Sequence, residues 1–114
     1  KTKPIIIAMI ENIISVKNLE QLIQTKGLDA ILIGPYDLSA SMNITGRFNH
    51  PKFKSAIREI RKISRRYKMP CGIHIIEPKH NILKKYIKLG YQFLPYSTDT
   101  ILLNTALKKS FDKK

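Results

Sequence analysis

Apolar residues along the chain follow two alternating periods. Ile5, Ile6, Ile7, Ala8, Met9 and Ile10 form an unbroken run after Pro4. Such a run, rich in β-branched residues, predicts a buried parallel strand over Pro4–Ile10. Val16, Leu19, Leu22 and Ile23 then recur at helical spacing, with Ser15 as the expected cap and Gly27 as the stop. The strand–helix unit returns three times. Leu28–Gly34 reads as a second strand, followed by a polar loop from Ser39 to about His50. Pro51 opens a long helix whose apolar stripe is Phe53, Ala56, Ile57, Ile60, Ile63 and Tyr67. Pro70–Ile76 is the third strand. Pro78 then opens a helix with Ile82, Leu83, Tyr86 and Ile87 on one face, and Gly90 closes it. Tyr91–Tyr96 is the fourth strand. Thr98 or Asp99 caps a last helix carrying Leu102, Leu103, Ala106, Leu107 and Phe111, and Asp112-Lys113-Lys114 is expected to fray.

Four βα units in succession predict one α/β domain with a parallel sheet and right-handed crossovers. Periodicity does not choose between an open sheet and a closed barrel. No G-x-G-x-x-G follows the first strand and no P-loop is present, so nucleotide-binding folds of those kinds have no support.

Charge changes the picture only in part. Lys and Arg number 21 against 8 Asp and Glu, a net charge of +13. That balance favours nucleic acid or an anionic surface as a partner. Its distribution argues the other way, because Arg58, Arg61, Lys62 and Arg65 fall outside the apolar stripe of their helix, as on a solvated face. Nucleic-acid binding is kept as a third option. The single cysteine, Cys71, has no disulfide or zinc partner in the sequence, and no apolar run approaches the ~20 residues of a membrane span. The chain is expected to be cytoplasmic.

In parallel α/β folds, functional groups gather past the carboxyl ends of strands. There the chain places Glu11, then Gly34-Pro35-Tyr36-Asp37, then His74 and Glu77, then Ser97-Thr98-Asp99. Glu11 and Asp37 end consecutive strands, which lie ~4.8 Å apart when paired. Two carboxylates that close repel unless a cation or proton sits between them. Oxygen donors on strand ends, with room for water and substrate, suit Mg²⁺ or Mn²⁺. Gly34 lets a small ligand approach the backbone, and the amides of Tyr36 and Asp37 are placed to meet an anion. The competing reading has Glu11 capping the next helix and Asp37 fixing a turn. Spacing alone leaves both open. His74, Glu77 and His80 have metal-ligand chemistry but cross from strand to helix, so His74 is read as a packed strand residue able to face the pocket. Cys71 is read as a small core hydrophobe.

Ala8-Met9-Ile10-Glu11-Asn12, followed by Gly27-Leu28-Asp29-Ala30-Ile31-Leu32-Ile33-Gly34-Pro35-Tyr36-Asp37-Leu38-Ser39-Ala40-Ser41, resembles the HpcH/HpaI aldolase/citrate lyase family. His50-Pro51, Cys71-Gly72-Ile73, Gly90 to Leu94 and Ser97-Thr98-Asp99-Thr100 continue the pattern over nearly the whole chain. The resemblance implies half of a TIM-type (β/α)8 barrel, with residues 1–114 supplying strands five to eight and their helices. It implies Glu11 and Asp37 as ligands of a divalent metal ion (Mg²⁺ or Mn²⁺, with Co²⁺ possible). It also implies Gly34, Pro35, Tyr36 and Asp37 as the pyruvate pocket. The implied reaction is retro-aldol cleavage of a 4-hydroxy-2-oxo acid to pyruvate and an aldehyde. The family's base His, its supporting Asp and its pyruvate-binding Arg belong to the first half of the barrel, and no residue here matches them. The expected partners are therefore a 2-oxo acid substrate and either further copies or a complementing N-terminal half. Citrate-lyase-like cleavage of an acyl-CoA and an inactive half-barrel assembly module stand as alternatives.

Overall fold

A computed structural model describes residues 2–112. Three short strands form the sheet: β1 (Ile7–Ile10), β2 (Ala30–Ile33) and β3 (Cys71–Ile73). They are parallel and ordered β1-β2-β3. Ile10, Ile33 and Ile73 lie side by side in the register and are buried against the helices. Between β1 and β2 come α1 (Ile13–Lys17) and α2 (Leu19–Ile23). Then α3 (Pro35–Ser41) and α4 (Pro51–Arg66) link β2 to β3, and α5 (His80–Lys88) and α6 (Asp99–Phe111) complete the chain. Leu19, Leu38 and Ile60 join the strand isoleucines in the fully buried core.

The α/β class and parallel sheet agree with the expectation, but the fourth strand does not form. Tyr91–Tyr96 meets β3 only through two isolated parallel bridges, Gly72 to Phe93 and Ile75 to Tyr96. Pro95 lies between the bridged residues and has no amide to give to a ladder. The Phe93 ring also presses on Gly72, where a Cβ would come within 2.7 Å of it. Hydrogen bonds from Gln92 N to Cys71 O and from Ile75 N to Pro95 O keep the segment alongside β3.

β1 is shorter and less buried than its apolar run predicts. Ile5 is 76% exposed, Ile7 43% and Met9 48%. Within β1 the exposure alternates, with Ile7 and Met9 open, Ala8 half-buried and Ile10 buried, whereas Ile5 and Ile6 before the strand are both exposed. The first helix is capped by Asn12 instead of Ser15, its side chain accepting from Ile14 N at 2.9 Å, and it breaks at Asn18 into two pieces. Helix α3 continues through Ser41, so the expected loop forms but begins at Met42 instead of Ser39 and runs to His50. In α4, His50 caps by accepting from Lys52 N, and Ser64 takes the buried position expected of Tyr67. Helix α5 begins at His80, so Pro78 stands just before it. Gly90 stops α5 as expected, with φ of 83°, whereas α2 already ends at Ile23 with Gln24 as its cap, and Gly27, with φ of 90°, lies in the turn that follows. Thr98 caps α6, which buries none of its residues and leaves Leu103 and Phe111 63% and 79% exposed. Asp112 caps its carboxyl end, and the expected fraying at Lys113 and Lys114 lies outside the described residues. Among the described residues no helix is long and apolar enough to cross a membrane.

Candidate functional site

Parallel pairing sets the frame of the site. Glu11, Gly34 and His74 each directly follow a member of the paired row Ile10, Ile33 and Ile73. Gly34 N donates to Ile10 O at 3.2 Å and His74 N to Ile33 O at 3.1 Å, which carries the ladder one residue past the strands. Because side chains alternate, this next row turns to the face opposite the core isoleucines.

Glu11 and Gly34 are brought together there. A Cβ at Gly34 would stand 3.4 Å from Glu11 Cβ, 3.7 Å from Glu11 Oε2 and 3.2 Å from the end of Met9. The Glu11 carboxylate therefore lies beside the notch that the glycine leaves, and a larger residue would close that notch.

Gly34 is also the residue from which α3 starts. Buried Pro35 takes the first helical position, where its missing amide costs nothing, and Asp37 lies in the first turn. The amides of Tyr36 and Asp37 are thus helix-start amides without intrahelical acceptors, rather than those of an isolated turn. The Asp37 carboxylate sits near the positive end of the helix. Tyr36 is partly exposed and turns its ring edge-on to Phe48, with centroids 5.0 Å apart. Glu11 and Asp37 are both exposed, and among the described residues neither forms an ion pair with Lys or Arg.

Two hydroxyls support this arrangement, both in the stretch whose polar sequence predicts a loop. Ser41 Oγ accepts from Ile13 N at 2.9 Å and donates to Leu38 O at 2.7 Å. Ser39 Oγ donates to Tyr36 O at 2.7 Å and accepts from Gly46 N at 3.0 Å. The available signal was the serine pair in Asp37-Leu38-Ser39-Ala40-Ser41, which follows a proline suited to a helix start.

His74 joins a different partner from those weighed in the sequence. Its Nε2 lies 3.1 Å from Ser97 O, whereas Glu77 pairs with Lys79 at 2.6 Å. Ser97 has φ of 63°, and its buried hydroxyl has no hydrogen-bond partner among the described residues.

Among the described residues no three His, Cys, Asp or Glu side chains group as metal ligands. Mg²⁺ and Mn²⁺ do not require that many, since one or two carboxylates with substrate and water oxygens suffice. The donor chemistry of Glu11 and Asp37, and the open notch at Gly34, fit an ion of this kind.

Comparison with known proteins places this geometry in context. Residues 1–106 match the family described as HpcH/HpaI aldolase/citrate lyase. The 4-hydroxy-2-oxo-heptane-1,7-dioate aldolase of Escherichia coli is 37% identical over 102 residues, covering 89% of this chain and 38% of that protein. The 5-keto-4-deoxy-D-glucarate aldolase of Salmonella arizonae is 30% identical over 107 residues, covering 94% of this chain and 41% of that protein. The crystal structure of an HpcH/HpaI aldolase from Desulfitobacterium hafniense DCB-2 superposes with a TM-score of 0.85 at 26% identity, over 94% of this chain and 41% of that one. The chain thus spans about two fifths of the length of these relatives.

Proposed function

The chain belongs to the HpcH/HpaI aldolase/citrate lyase family, and from that membership we propose that it supplies the carboxyl-terminal half of a (β/α)8 barrel to a divalent-metal-dependent pyruvate aldolase. The proposed reaction is retro-aldol cleavage of a 4-hydroxy-2-oxo acid to pyruvate and an aldehyde. The observation that carries the reading is the notch at Gly34 with the Glu11 carboxylate beside it, one helical turn from Asp37.

Each residue has a distinct part. Glu11 and Asp37 hold the ion, Mg²⁺ or Mn²⁺. Gly34 and Pro35 keep the approach to the backbone open, and the Tyr36 and Asp37 amides receive the carboxylate of the 2-oxo acid. A divalent ion bound there supplies Lewis-acid polarisation of a keto oxygen. The proton-transfer groups come from the barrel's other half, whether covalently joined or from a complementing chain, and the assembled enzyme works in the cytoplasm.

Two measurements test this. Titration of the chain with Mn²⁺ should show a site that Glu11→Gln weakens at least tenfold. Co-expression with the amino-terminal portion of the Escherichia coli relative should give pyruvate from 4-hydroxy-2-oxo-heptane-1,7-dioate, dependent on Mn²⁺ and on Glu11. Equal Mn²⁺ affinity in the variant would remove the metal assignment. A second reading, an inactive half-barrel serving assembly, draws on the exposed apolar side chains of β1 and α6. Lack of turnover in every combination, with Mn²⁺ binding intact, would favour it.

A further inference from the structure

At the opposite end of the sheet lies a cleft of about 270 Å3. It is built between the end of α4, the start of β3 and the turn after α5, so the contiguous stretch from Arg61 to Gln92 forms all of it. Three cations, Arg61, Arg65 and Lys68, line it, and among the described residues no carboxylate does.

The two guanidinium groups converge. Arg61 donates to Leu89 O at 2.5 Å and Arg65 to the same oxygen at 3.3 Å. This puts the two nitrogens within about 6 Å of each other, a separation at which like charges repel. One carbonyl at the end of α5 uses one donor from each fork of five and offsets little of that repulsion. Neighbouring cations are treated differently, since Arg66 pairs with Glu20 and Lys62 with Glu59. The other ionisable groups in the cleft are neutral at physiological pH. Burial pushes the Cys71 thiol up to about 11, and burial likewise raises the Tyr91 phenol. The Tyr91 ring lies under Arg61, with 5.3 Å from guanidinium to centroid, and this fixes that cation in place.

We propose that this cleft is a binding site for a dianionic oxyanion of the phosphate class, seated between Arg61, Arg65 and Lys68. A planar fork of donors matches phosphate oxygens. At ~30 Å3 per water, the volume accommodates several solvent molecules or a phosphate with a small organic group attached. The inference is independent of the aldolase reading, because no residue of the Glu11–Asp37 site takes part.

The test is calorimetric titration of the whole chain with inorganic phosphate and, separately, ribose 5-phosphate at constant ionic strength, without metal or keto acid. One saturable site per chain is expected. Arg65→Gln and Lys68→Gln should each weaken it at least fivefold, while Arg66→Gln leaves it unchanged. Both substituted positions in the cleft are exposed, and circular dichroism reports whether the fold is kept. Tighter binding of ribose 5-phosphate identifies a carried phosphate as the ligand, and tighter binding of phosphate identifies the free ion. Absence of a saturable site, or an Arg66→Gln loss equal to that of Arg65→Gln, overturns the proposal.

Discussion

The hydroxyl of Ser41 accepts a hydrogen bond from the backbone amide of Ile13 at 2.9 Å. Ser41 ends the helix that carries Asp37, and Ile13 begins the helix that follows Glu11. The contact therefore ties together the two polypeptide segments bearing the proposed metal ligands, although neither ligand takes part in it.

Ser41→Ala removes this tie and leaves the Ile13 amide without its partner. A part-buried donor so orphaned costs about 1–3 kcal/mol. Urea unfolding should show a loss in that range, and Mn²⁺ affinity should fall with it. An unchanged unfolding midpoint would show that water replaces the serine.

Gly34→Ala tests the notch. Its φ of −96° suits alanine, so the backbone is not strained. The new Cβ meets Met9 Cε at 3.2 Å, which a flexible side chain relieves, and also crowds Glu11. The expected result is a folded protein within about 1 kcal/mol of the parent, with Mn²⁺ binding weakened several-fold. Retained Mn²⁺ affinity would separate the notch from the metal site.

Ser97→Gly should stabilise the chain. Ser97 holds φ of 63°, where a Cβ is penalised, and its hydroxyl is buried without a partner among the described residues. Relief of backbone strain is worth roughly 1 kcal/mol, partly offset by the greater freedom of glycine when unfolded. Thermal unfolding should move upward by a few degrees. A downward shift would mean that the hydroxyl has a role the backbone angle does not reveal.

Alkaline stability should report on Cys71. Burial is the main cause that raises its thiol to about 11, while Ser64 and Arg61 oppose the shift. The folded pKa exceeds the unfolded value of 9.0. The corresponding stability is complete below pH 9 and drains away as pH rises through about 11. Cys71→Ala should flatten the unfolding free energy across this interval by roughly 2 kcal/mol. Tyr91, also raised by burial, leaves a residual slope in both proteins.

Much of this architecture was legible in the residue pattern. The α4 stripe of Phe53, Ala56, Ile60 and Ile63 is buried as its spacing predicts, and Pro51 opens the helix. Gly90 stands where α5 stops. The family motif was equally plain around Glu11 and Gly34-Pro35-Tyr36-Asp37, and the matched family bears out that resemblance. Thr98 caps α6 as expected, but the cap of α1 and the extent of α3 were not legible. Asn12 and Ser15 are both competent caps, and Ser39 and Ser41 suit a loop as well as a helix that returns their hydroxyls to its own carbonyls.

The sequence by itself determined the α/β class, the order of the three strands and the chemical types at the strand ends, because periodicity and local sterics are properties of neighbours along the chain. Only the tertiary structure decided which apolar residues are covered. Ile5–Ile10 reads as core, yet only Ile10 of the run is buried, because burial depends on what packs against a strand. It also decided that Tyr91–Tyr96 bridges β3 without a full ladder, and that Arg61 and Arg65 converge on one carbonyl. Such meetings between distant residues follow from the path of the backbone in space, which side-chain spacing does not encode.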